Sequence, residues 1–215
     1  MRTPTVERML DSSARRAGAL TAAAVASVLL LTGCSEEKKA TPKPSPTPIA
    51  SLNTSAMQVP RIEFCALVPA SAVSDALGGK PESKAAYGNG DVQGVRTIGK
   101  DVVHEIGCTW TGKDGSTARA WVFARPVDTA FARTVIASSR KKKGCETVSG
   151  PAYGKPSTTQ QCDFSDGSKR FRHAGLFGQS WLTCELASPA GEASTLGSRT
   201  DAWCVQVANA LNTAR

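Results

Sequence analysis

Residues 158–187 read TTQQCDFSDGSKRFRHAGLFGQSWLTCELA, and this stretch decides the fold. Two turn signals divide it. Thr158–Ser165 and Ser168–Phe177 flank Asp166-Gly167, and the second of those segments and Ser180–Ala187 flank Gly178-Gln179. Asp-Gly favours a type I′ turn and Gly-Xaa a type II′ turn, because their twist matches that of paired strands. Leu182, Cys184 and Leu186 fall on one face at a period of two. That spacing predicts an antiparallel sheet with one buried face.

The same pattern recurs upstream. Glu105–Gly112 and Thr117–Arg125 flank Asp114-Gly115. Cys108 and Trp110 share one face of the first segment; Ala120, Val122 and Ala124 share one face of the second. Arg119, Trp121, Phe123 and Arg125 then lie on the opposite face, which makes them the leading candidates for a binding surface. The competing reading is that a helix covers them and the arginines snorkel to solvent.

Helical spacing predicts three helices around this sheet. Pro69 suits a first turn, Ala70, Val73 and Leu77 follow, and Gly78-Gly79 is a stop. Asp128 is an N-cap candidate for a helix reaching Lys143, with Phe131, Ala132, Val135 and Ile136 as its apolar stripe. The last helix is expected over about 200–213, with Trp203, Val207 and Leu211 on one face. Lys80 to Lys100 carries a turn signal at Gly88-Asn89-Gly90-Asp91 and is otherwise ambiguous. The fold class is α+β: a disulfide-stabilised antiparallel sheet of hairpins with about three helices packed on it.

The chain before residue 61 reads differently. Arg2, Arg8, Arg15 and Arg16 precede an apolar run, Ala17–Leu31. That run is too short to cross ~30 Å of hydrocarbon comfortably as a helix, and it has the flanks of a cleavable signal. Leu31-Thr32-Gly33-Cys34 resembles the bacterial lipobox. The resemblance implies cleavage before Cys34 and a diacylglyceryl group on its sulfur, an anchor of two acyl chains that holds where one would not. Residues 1–33 are therefore expected to be a lipoprotein signal peptide. Residues 34–60, with Lys43-Pro44-Ser45-Pro46-Thr47-Pro48 at their centre, are expected to be the lipidated cysteine and a Pro/Ser/Thr-rich linker of extended polyproline geometry. Residues 61–215 are then one extracytoplasmic domain at the outer face of the cytoplasmic membrane.

The leader holds four of the 26 basic and two of the 18 acidic residues, so the remaining chain is about +6. A modest basic excess suits anionic lipid or cell-wall polymer. Nucleic acid is excluded by the exported location and by the lack of aromatic residues interleaved with basic ones. With Cys34 assigned to lipid, Cys65, Cys108, Cys145, Cys162, Cys184 and Cys204 remain, an even six that predicts up to three disulfides. Fifteen pairings are open. The expected set is the sequential one, Cys65–Cys108, Cys145–Cys162 and Cys184–Cys204, each contributing about 3–4 kcal/mol in the chain-entropy account. No Cys-x₂-Cys or His-x₃-His spacing supports a metal site, and no cofactor is expected.

Cys65-Ala66-Leu67-Val68-Pro69, then Val73 and Leu77-Gly78, then Cys108-Thr109-Trp110, resemble an actinobacterial lipoprotein family with a domain of unknown function. Its members carry a lipobox, a Pro-rich linker, a Cys-x-Leu helix start and a later Cys-x-Trp strand. The motif covers about residues 64–110. The resemblance implies a Cys65–Cys108 pair and a sheet with helices packed on it. Four further cysteines depart from the family pattern, and the family has no catalytic residues to carry over.

Arg140-Lys141-Lys142-Lys143 before Gly144 is the most conspicuous charge run. It reads either as a headgroup or wall-polymer contact or as helix-end chemistry, since cations favour the negative end of the macrodipole and glycine caps it. Catalytic constellations are incomplete. Ser138-x-x-Lys141 lacks the companion elements of penicillin-recognising enzymes, and neither His104 nor His173 adjoins a nucleophile elbow. Asp101/Glu105 and Asp163/Asp166 are acids at turns and strand ends. The expected role is non-catalytic: binding a hydrophobic ligand, an envelope polymer or a protein partner, with anionic lipid, cell-wall polymer or an envelope protein as the candidate partners. A cell-envelope hydrolase, or a sensor or accessory subunit of a membrane complex, are the alternatives.

Overall fold

The computed structural model describes residues 47–95, 99–189 and 193–213. The expected signal peptide, Cys34 and the first part of the expected linker lie outside the described residues. Nine strands and three helices follow in order: α1 (Ala70–Leu77), β1 (Ser83–Tyr87), β2 (Val92–Val95), β3 (Gly99–Val102), β4 (Glu105–Thr111), β5 (Thr117–Phe123), α2 (Thr129–Ser139), β6 (Cys145–Thr147), β7 (Ser157–Asp163), β8 (Lys169–Phe177), β9 (Ser180–Ser188) and α3 (Ala193–Asn212). Seven strands form one antiparallel sheet in the order β1-β4-β5-β9-β8-β7-β6; β2 and β3 pair separately. This is the α+β architecture that the hairpin spacing predicts.

The turns differ in kind from the expectation. Phe164 and Ser168 close a three-residue loop, with the Gly167 amide donating to the Phe164 carbonyl at 3.0 Å. Gly167 has φ 82°, and Gly115 has the same φ in the corresponding loop of β4–β5. Asp-Gly thus fills the last two positions of a three-residue loop rather than a two-residue type I′ turn. The aspartate makes this geometry favourable: Asp166 Oδ1 accepts from the Ser168 amide at 2.9 Å, and Asp114 Oδ1 from the Ser116 amide at 2.9 Å. Phe177 and Ser180 do pair directly across a two-residue turn, with Gly178 at φ 61°.

One sheet face carries the main core. Ala118, Ala120, Val122, Leu182, Cys184 and Leu186 lie against α1 and α3, whose Val73, Leu77, Trp203, Val207 and Leu211 are buried with them. Small side chains on β5 leave room for Trp203, which donates to the Arg119 carbonyl at 3.1 Å and meets Trp110 edge-on at 5.4 Å. Disulfides join Cys65–Cys108, Cys145–Cys162 and Cys184–Cys204, with Cα separations of 5.7, 4.0 and 5.6 Å. The last of these ties β9 to α3. The two cysteines of the second are directly opposite each other on β6 and β7.

Part of the stretch expected as linker, residues 49–59, packs on the core. Ile49, Met57 and Val59 are buried in the main core, and the Gln58 amide donates to Asn212 Oδ1 at 3.0 Å. Apolar side chains spaced between the prolines pull this segment onto α3. Residues 44–215 cluster as one compact unit, in which the segment around residues 49–59 packs with the rest. Helix α2 also stops at Ser139, four residues short of the expected Lys143, and Arg140–Gly144 forms a turn ending at Gly144 with φ 75°.

Candidate ligand-binding surface

The other sheet face is only partly covered. Helix α2 packs Ala132 and Ile136 on Ala174, Leu176 and Trp181 of β8 and β9. Asp128 caps it as expected, accepting from the Phe131 amide at 2.7 Å. Past the end of α2, the same face turns polar. Register places Arg119, Glu185 and Arg172 in one row across β5, β9 and β8, each directly opposite its neighbour. Trp121 stands one row along, opposite Gly107.

Glu185 is the centre of this surface. Its side chain is 1% exposed. Arg119 Nη1 donates to Oε1 at 3.0 Å and Arg172 Nε to Oε2 at 2.7 Å, while Arg170 Nε stands 3.7 Å from Oε2. Burial pushes the Glu185 carboxyl up, but Arg172, Arg119 and Arg170 outweigh it and hold the group below the ordinary carboxylate range. The guanidiniums of Arg119 and Arg172 each lie 5.1 Å from the Trp121 ring centroid, so the indole is flanked by two cations. Thr109 Oγ1 accepts from Arg119 Nε at 3.3 Å.

Other groups enter the same field. Burial raises the Tyr87 hydroxyl pKa against the opposing pull of Arg119. Burial likewise raises the Glu105 carboxyl, opposed by Arg119 and Arg172. Lys142 is lowered by burial and then by repulsion from Arg170 and Arg172. Glu105 also lines a cleft of about 400 Å³ with His104, Phe123, Arg125, Pro126, Val127 and Phe131. Phe131 does not join the buried stripe expected of α2; it is 52% exposed at the cleft.

The surface therefore brings together Arg119, Trp121 and Phe123 on β5, with Arg125 exposed at the cleft. Of the charge run, Arg140, Lys141, Lys142 and Lys143 are all exposed in the turn after α2, and Lys142 feels the repulsion of Arg170 and Arg172. Helix α2 does not cover Arg119 and Trp121, against the competing reading; Trp121 is buried by its arginine neighbours and by Tyr87, whose hydroxyl sits over Gly107. The sequence reading missed Arg170, Arg172 and Glu185. Alternation along β8 and β9 is the signal that finds them, since they occupy the face opposite Phe171, Leu182, Cys184 and Leu186.

A second polar group lies on the α3 side. Thr159 Oγ1 and His173 Nδ1 are 3.0 Å apart, and His173 Nε2 and Asp201 Oδ1 are 2.6 Å apart. The order matches a nucleophile–base–carboxylate relay. The imidazole is 1% exposed, however, and sits between the rings of Tyr153 and Phe171 at 5.9 and 5.4 Å. It links β7, β8 and α3 inside the fold. Among the described residues, no three or more His, Cys, Asp or Glu side chains are grouped to hold a metal ion, and no helix is long and apolar enough to cross a membrane.

No family model matches the chain, and no curated protein matches it. Among solved structures, the extracellular domain of PknH from Mycobacterium tuberculosis is similar, with a TM-score of 0.46 and 12% identity over 73% of this chain and 98% of that one.

Proposed function

We propose that this chain is a lipid-anchored, extracytoplasmic, non-catalytic binding domain, and that its binding surface is the open sheet face around Glu185. The observation that supports this is the Arg119–Trp121–Arg172 stack over a carboxylate that is 1% exposed. Desolvating such a charge cluster costs about as much as its attraction returns, so an apolar patch of the same volume would stabilise the sheet at least as well. Recognition explains why charge stands there. The cleft beside Trp121, lined by Phe123, Val127 and Phe131, supplies apolar contact; the guanidiniums supply direction.

The experiment is native mass spectrometry of residues 44–215, disulfides intact, after incubation with an envelope extract. A retained mass that is lost with Arg119→Gln is the expected result. A clean apo mass for both proteins would overturn the reading. The anchor is tested by metabolic palmitate labelling of the full chain, where Cys34→Ala abolishes the label. The hydrolase alternative has one specific observation behind it, the Thr159–His173–Asp201 relay. Labelling of Thr159 by a fluorophosphonate probe would favour it; we expect none, because the ring is enclosed.

A further inference from the structure

We propose, resting on the binding reading above, that the open face takes an anionic amphiphile: a phosphate headgroup on Arg119 and Arg172, and an apolar chain in the cleft lined by Phe123, Val127 and Phe131. Charge complementarity argues for the headgroup. Arg119, Arg170 and Arg172 surround Glu185, and Arg125 lines the cleft with Glu105, so four cations share this face with two carboxylates. Four cations against two acids leave two positive charges to balance, and a phosphate monoester carries about −1.5 to −2 at neutral pH.

The donors point the same way. A guanidinium has five N–H donors in a planar fork that matches phosphate oxygens. Thr109 and Glu185 each take one from Arg119, whose side chain is still 37% exposed. Arg170 Nε is buried without a hydrogen-bond partner among the described residues. Glu185 contributes by position rather than by contact. It holds Arg119 and Arg172 against the same indole, so the donors are fixed before the ligand arrives.

The apolar half is continuous with the charged half. Phe123 and Arg119 are four residues apart on one face of β5, about 13 Å along the strand. Trp121 lies between them, against the guanidiniums of Arg119 and Arg172, with Phe123 next on the same face in the cleft wall. A bare inorganic anion would leave that cleft, of about 400 Å³, unused. A neutral lipid would leave the guanidiniums unanswered. A single molecule with a phosphate at one end and a chain at the other satisfies both.

The test uses residues 44–215 and three probes below their micellar concentrations: dodecyl phosphate, dodecyl maltoside and inorganic phosphate. Calorimetric titration should show dodecyl phosphate binding at least roughly tenfold more tightly than either of the others, as one charge-assisted contact implies. Arg119→Gln and Phe131→Ser should each weaken it, the first by roughly tenfold. Both side chains are substantially exposed, so circular dichroism should show both variants folded. Equal binding of dodecyl maltoside, equal binding of inorganic phosphate, or full binding by both variants would each overturn the proposal. The envelope-extract experiment separates the two failures. A retained mass that depends on Arg119, with no dodecyl phosphate binding, removes the amphiphile but keeps the binding surface. Loss of both removes both.

Discussion

Glu185 makes the sheet face sensitive to acid. Its carboxyl is more acidic in the folded chain than in the unfolded one, because three arginines outweigh its burial. Its contribution is therefore fully present above the unfolded glutamate pKa of about 4.3, and it is lost as pH falls through the lower folded value. Chemical denaturation across that range should show stability dropping with acid, and Glu185→Gln should flatten this part of the profile. A profile unchanged by the substitution would assign the acid dependence to other carboxylates. At neutral pH, Glu185→Ala leaves the guanidiniums facing one another without their acceptor. Breaking a buried pair in this way costs about 3–5 kcal/mol. The lower end applies here, since Arg119 is 37% exposed and water screens part of its charge. Equilibrium denaturation of Glu185→Ala measures that loss directly.

The elements show which sequence signals carry structural information. The β4–β5 and β7–β8–β9 hairpins were legible because one face had to be apolar, and α1 and α2 because a stripe at helical spacing met a cap or a stop. Strand β1 was not legible: four of its five residues are exposed, so nothing forces alternation. Strand β6 is three residues long and is recognisable only through the cysteine it carries. Helix α3 begins seven residues before the expected Thr200, and its first turns carry Gly197. A glycine is favourable there because the Phe171 ring packs over it; a Cβ would meet Phe171 Cε2 at 3.4 Å. The site was half legible for a related reason. Alternation on β5 puts Arg119 and Trp121 on the face away from the main core, but Glu185 lies 66 residues beyond Arg119, and only sheet order joins them. Two predictions belong to this scale. Removing the Cys184–Cys204 bond as a Ser pair releases α3 from β9 across a separation of 20 residues. The loss should be about 3 kcal/mol in urea denaturation, and a midpoint matching the parent would show that the bond adds nothing to side-chain packing. Asp128→Ala should cost about 1 kcal/mol through the lost cap at α2, read in the same way.

For residues 44–215 taken together, the two faces of the sheet have different work. One is closed by α1, α3 and the segment around residues 49–59, and it holds the main core. The other is closed only where α2 lies, which leaves charge and aromatic surface beside a cleft. The closed face sets how rigidly the open one is held, because Trp203 donates from α3 to the Arg119 carbonyl and so connects core to site. The N-terminal segment matters for the same reason. Ile49, Met57 and Val59 are 3%, 8% and 4% exposed, and Gln58 is bonded to Asn212 near the end of α3. Burying each side chain contributes about 1.5–3 kcal/mol, offset in part by the entropy of ordering the segment. A protein starting at residue 61 should therefore unfold at lower urea than one starting at residue 44, by several kcal/mol in all. It should also bind a hydrophobic dye at the uncovered side of α3, where the longer protein does not. Equal midpoints for the two would mean that the segment rests on the core without stabilising it.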